Sequence, residues 1–155
     1  MNMVPRLLRC ATLSMALALL LTGPLLAAKD DLPTPKEYGV YVKTAEGMVR
    51  ILTNIVFDEG DMIYLESNNP PRFKLNDLPY FIVYGKYDIR YLTLNSLLFV
   101  KQSPLDKPRF IFGKDVDVEV KKGGDDLYTV KPKGLFGRGY YALWINDAAW
   151  DIIIE

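Results

Sequence analysis

Histidine is absent from the 155-residue sequence, and cysteine occurs once, at Cys10. Ser-His-Asp and Cys-His catalysis, thiol redox, c-type haem attachment and the usual zinc and copper sites each need one of these side chains. Beyond Cys10 that chemistry is closed to the chain. Carboxylate, lysine and tyrosine chemistry and oxygen-ligated metals remain, and nothing in the composition calls for a cofactor. A surplus of either charge is missing too, with 19 basic and 19 acidic residues. Long apolar runs are confined to the N-terminus, and no stretch carries a convincing amphipathic helical period.

Residues 1–28 read as a signal peptide. Arg6 and Arg9 form a basic start, residues 13–21 an apolar centre, and Thr22-Gly23-Pro24 a break before the small residues Ala27 and Ala28. An uncleaved anchor is the competing reading, and the Gly-Pro break argues against it. Cys10 follows Arg9 too early to accept a lipid. Export to the periplasm or the exterior as a soluble protein is expected, with no membrane span after cleavage. Removal of Arg6 and Arg9 leaves 17 basic against 19 acidic residues. A mildly acidic chain argues against nucleic acid and anionic membranes as partners. Without cysteine the exported part has no disulfide staple, yet about 127 residues suffice for one packed core.

Residues 29–37, charged and holding Pro33 and Pro35, read as an extended lead-in to a single all-β domain at 38–155. Residues 38–43 alternate, turn through 44–47 and return along 48–56. Pairing Lys43 with Met48 sets Val42 against Val49 and Val40 against Ile51. Residues 62–66 and 73–75 suggest short strands. Residues 80–84 and 89–94 suggest a further hairpin of open register around 85–88. Residues 97–100 extend it or form a helical turn, and 103–108 form a loop. Residues 115–121 alternate strictly, turn at Gly123-Gly124 and return along 127–133. Pairing Val118 with Val130 also sets Asp117 against Lys131 and Asp115 against Lys133.

The last hairpin, 139–155, is the most apolar stretch beyond the N-terminal segment. With a turn at 146–149, Ile145 opposes Trp150, Leu143 opposes Ile152 and Tyr141 opposes Ile154. All six then share one face. Gly139-Tyr-Tyr-Ala-Leu143 resembles the Gly-x-Tyr-Ala-Leu penultimate strand of many bacterial secreted β-sandwiches, and the resemblance extends no further than this hairpin. Strands of this length, separated by Gly, Pro, Asn and Asp turns, predict an antiparallel two-sheet β-sandwich, with a small β-barrel as the alternative.

Few constellations point to chemistry. Asp115, Asp117 and Glu119 lie about 6.6–7 Å apart along a strand, too spread to converge on a calcium ion. Asp58, Glu59 and Asp61 crowd a turn but lack the ligand series of a calcium loop. A carboxylate-pair hydrolase acting on an envelope sugar polymer needs two acids about 5–9.5 Å apart. The acids here fall mostly in turns and on an outward stripe, outside apolar segments. Residues 131–139 lack nucleotide-loop spacing. They read as a crossover in which Leu135 or Phe136 caps the core, or as a loop presenting Phe136 and Arg138 to a partner.

The second face of the last hairpin carries Tyr140, Ala142, Trp144 and Ile153 beside Asp151. Another segment covers it, the commoner outcome, or it is an exposed patch that binds another envelope or secreted protein. The leading expectation is a non-enzymatic exported binding or assembly module. Its partner-contact candidates are Trp144, Tyr140, Ile153, Phe136 and Arg138. The alternatives are the hydrolase and a small barrel holding an apolar ligand.

Overall fold

The computed structural model describes residues 34–67, 69–77, 80–100, 108–134 and 136–155. The expected signal peptide at 1–28, lead-in residues 29–33, loop residues 103–107 and Leu135 lie outside the described residues. Twelve strands follow one another as β1 Gly39–Thr44, β2 Gly47–Ile51, β3 Asn54–Asp58, β4 Ile63–Glu66, β5 Arg72–Phe73, β6 Tyr80–Tyr84, β7 Thr93–Val100, β8 Arg109–Asp115, β9 Val118–Gly124, β10 Leu127–Pro132, β11 Gly139–Ile145 and β12 Ala148–Ile154. Among the described residues no helix is long and apolar enough to cross a membrane.

The strands form two layers. One is an open sheet ordered β2-β1-β6-β10-β9. The other, β11-β7-β8-β4-β3-β12, closes on itself through β11–β12 into a six-stranded barrel, and β5 joins β12 in parallel. Every other pairing is antiparallel. The all-β, two-sheet expectation therefore holds, with the barrel forming one of the two layers.

Alternation decides where each side chain goes. Val40, Val42, Phe81, Val83 and Val130 of the open sheet meet Leu94, Tyr141, Leu143, Ile145, Trp150, Ile152 and Ile154 of the barrel wall in the main core. The other face of the last hairpin turns into the barrel, where Ala142 and Ala149 pack with Leu65, Leu97 and Phe110, and Trp144 lies against them. The β11–β12 hairpin is thus covered on both faces. Each large aliphatic side chain fully buried there contributes about 1.5–3 kcal/mol relative to exposure. A third, small cluster of Tyr41, Ile82 and Leu127 sits on the outer face of the open sheet.

Several registers depart from expectation in one consistent way. The first hairpin pairs as expected, Lys43 with Met48 and Val40 with Ile51. In the last hairpin, however, Leu143 opposes Trp150 and Ile145 opposes Ala148. The turn is only Asn146-Asp147, entered by Asn146 at φ +52°. Likewise Val120, not Val118, opposes Val130, and the charge pair across that ladder is Glu119 with Lys131. That turn falls at Asp125-Asp126, with a bulge between Leu127 and Tyr128. Both slips are by two residues. An even slip keeps every side chain on its face, so apolar patterning alone does not distinguish these registers; the turn does.

Sheet membership is the second correction. β6 pairs with β1 and β10, while β7 pairs with β11 and β8, so residues 80–94 form no hairpin. Ile89–Tyr91 is a 3-10 turn capped by Asp88. Phe81, Ile82 and Val83 are all fully buried. Such an unalternating run marks a strand covered on both faces, whose neighbours are set by long-range packing. The alternating runs 48–56 and 115–121 also each divide, at Leu52-Thr53 and Val116-Asp117, where the chain crosses between layers.

Two strand entries share a device. Tyr41 donates its hydroxyl to the Glu37 carbonyl at 2.8 Å, and Tyr141 donates to that of Gly137 at 3.1 Å, each four residues back. Two residues before each tyrosine stands a glycine at positive φ, Gly39 at +156° and Gly139 at +152°. A Cβ on either glycine would lie 3.6 Å from the tyrosine ring in a backbone conformation that L side chains rarely adopt.

Candidate functional site: a cleft at the barrel seam

The barrel is weakest where β12 meets β3. Their ladder holds two pairs, Ala148 with Ile55 and Ala149 with Asn54. The same edge of β12 is taken up again by β5 at Ile153 and Ile154. Side chains close the interval. Asp151, 3% exposed, accepts from the Asn54 amide at 2.7 Å and from the Ser67 hydroxyl. Asn54 opens β3 and Ser67 follows β4, so one carboxylate ties three segments together. Burial pushes the Asp151 carboxyl above the usual aspartate range; the bonds from Ser67, Asn54 and its own main chain only partly offset this.

Outside this clasp opens a cleft of about 440 Å³, lined by Arg50, Ile51, Leu52, Asn54, Asn69, Pro70, Pro71, Arg72 and Asp151. Asp151 is the one carboxylate among its described lining residues. Arg50 is turned onto Glu37 at 2.6 Å and the Tyr38 carbonyl at 3.1 Å. Arg72 pairs with the Glu155 side chain in solvent. Arg72 also borders a second cleft of about 250 Å³ beside Thr44, Glu46, Val49 and Lys74.

Tyr140 stands opposite Ile153 in the last hairpin. Its ring centroid stands 4.8 Å from that of Phe110, which in turn lies 5.4 Å from Phe99. Phe99 is 59% and Tyr140 36% exposed.

The expected contact residues are distributed differently. Ile153 and Phe136 are buried, Phe136 with its ring centroid 4.3 Å from that of Tyr141, so this crossover residue caps the main core. Trp144 is half-buried inside the barrel, 4.6 Å from Phe112, with its indole N–H donated to the Asn146 carbonyl. Arg138 is exposed and Tyr140 sits at the rim. The patch considered for binding is thus largely lining of the barrel.

The acids are redistributed too. Asp115 receives the Asn95 amide, and Glu59 receives the Tyr64 hydroxyl at 2.7 Å. Among the described residues no three Asp, Glu, His or Cys side chains stand together so as to hold a metal ion. Asp151 is an exception to the expectation that the acids fall mostly outside apolar segments. Its place in Ala148-Ala-Trp-Asp-Ile-Ile-Ile was the available signal, since a lone acid in such a run must find buried partners. Asn54, Ser67, Asn69 and Arg72 carried no such signal. No family model matches this chain, and no curated protein or solved structure matches it.

Proposed function

We propose that this chain is an exported, non-enzymatic binding module whose ligand site is the seam cleft. The observation that carries this reading is a concave site of about 440 Å³ with a buried hydrogen-bonded floor, Asp151 with Asn54, and an exposed guanidinium, Arg72, at its wall. Ligand sites combine apolar walls with a few fixed polar groups, and Leu52, Pro70 and Pro71 supply the walls here. A shifted carboxylate in a cleft is a recognised mark of function. One lining carboxylate supports binding better than hydrolysis, which needs a second acid across the bond to be cut. The side chains filling the barrel favour the cleft over the interior as the ligand site. Export rests on the signal-like segment at 1–28, and the occupant is then a group on another envelope or secreted molecule.

The test is a small-molecule fragment screen followed by ¹⁵N amide shifts on the purified protein. Shifts gathering at Leu52, Asn54, Asn69, Arg72 and Asp151 support the proposal. Hits that gather elsewhere, or none that touch the cleft, refute it.

A further inference from the structure

Charged groups around the seam cleft are not equally available. Arg50 donates both to Glu37 and to the main chain of Tyr38, while Asp151 is enclosed by Asn54 and Ser67. Both arginine pairs are exposed, Arg50–Glu37 at 52% and 70% and Arg72–Glu155 at 61% and 52%, so water and salt screen each. Arg50 is held by a main-chain carbonyl as well, whereas at Arg72 the Glu155 side chain alone is exchangeable for another carboxylate. A guanidinium offers a planar fork of donors matched to carboxylate oxygens. Glu155 therefore occupies the place that an external carboxylate would take.

The surroundings narrow the ligand further. A bare carboxylate would leave most of the cleft unfilled, whereas a sugar-sized ring could lie against Pro70, Pro71 and Leu52 with hydroxyls reaching Asn69. We infer that Arg72 anchors the carboxylate of a sugar acid in the seam cleft and that Glu155 is the internal carboxylate the ligand displaces. This rests on reading the cleft as the binding site.

The two residues should act in opposite directions, which a purely structural ion pair would not do. Amide and arginine Nε–H shifts are followed while galacturonate, galactose or acetate is added to the purified protein. Galacturonate is expected to bind at least about tenfold more tightly than galactose, because a charge-assisted bidentate contact is at stake. Glu155→Gln is expected to tighten galacturonate about threefold and leave galactose unchanged. Arg72→Gln removes the advantage of galacturonate over galactose. Equal binding of the two sugars, or no tightening in Glu155→Gln, overturns the anchor while galactose shifts in the cleft keep the cleft reading standing. Acetate binding as tightly as galacturonate overturns the sugar ring's part. If neither sugar moves the cleft amides, the inference falls, and the fragment screen decides the cleft itself.

Discussion

Asn54 donates its side-chain amide to the Asp151 carboxylate across 2.7 Å, although 97 residues separate them. With Ser67 the pair replaces the main-chain ladder that β3 and β12 lack beyond two residues. Asn54→Ala leaves a buried carboxylate oxygen short of a donor, which costs about 1–3 kcal/mol. Urea unfolding should show a lower midpoint at unchanged slope. Ser67→Ala should do the same, and the double variant should lose something other than the sum, because both act on Asp151. Strict additivity would mean the clasp does not work as a unit.

Asp151 also sets a pH signature. Its folded value is raised above the unfolded one, so between the two values the native state binds more protons than the unfolded chain. Its stabilisation is present below the ordinary aspartate value, near ~3.9, and is lost as pH rises through the higher folded value. Asp88 behaves oppositely: Arg90 holds its carboxyl below the usual range, so its stabilisation is lost as pH falls. Asp151→Asn should abolish the decline on the alkaline side and keep the loss at acid pH. Thermal unfolding across a pH series compares the two. A decline that persists in the variant assigns it to another group.

Tyr41→Phe and Tyr141→Phe each delete a hydroxyl donated to a main-chain carbonyl four residues back. Each should cost about 0.5–1.5 kcal/mol in denaturant unfolding. The two share no partner and lie in different sheets, so the double variant should be additive within about 0.5 kcal/mol.

The two tryptophans should separate cleanly. Trp150 is 1% exposed in the main core, with the Tyr87 ring edge-on at 5.5 Å. Trp150→Ala should cost about 3–5 kcal/mol. Trp144, half-buried in the barrel, should cost roughly half as much when truncated. Guanidinium unfolding of both variants checks the order, and the reverse ranking would contradict the assignment of the two faces of the last hairpin.

What could be read from sequence follows the period of the strand. Alternation put Leu143, Ile145, Trp150 and Ile152 on one face and Trp144 with Asp151 on the other, and both groupings hold. It did not set register, since moving Leu143 from Ile152 to Trp150 changes no face. Nor did it reveal the crossings at Leu52-Thr53 and Val116-Asp117, where the pattern runs on while the chain changes layer. The cleft was least visible, because Asn54, Ser67, Arg72 and Asp151 meet only once the barrel has closed and no local pattern links them.

The doubly covered hairpin governs the order in which this protein can fold. β12 follows all the other described strands, yet it supplies Trp150, Ile152 and Ile154 to one core and Ala149 to the other. A nascent chain that has not yet released β12 from the ribosome can complete neither core. Both cores therefore close only once synthesis has passed residue 154.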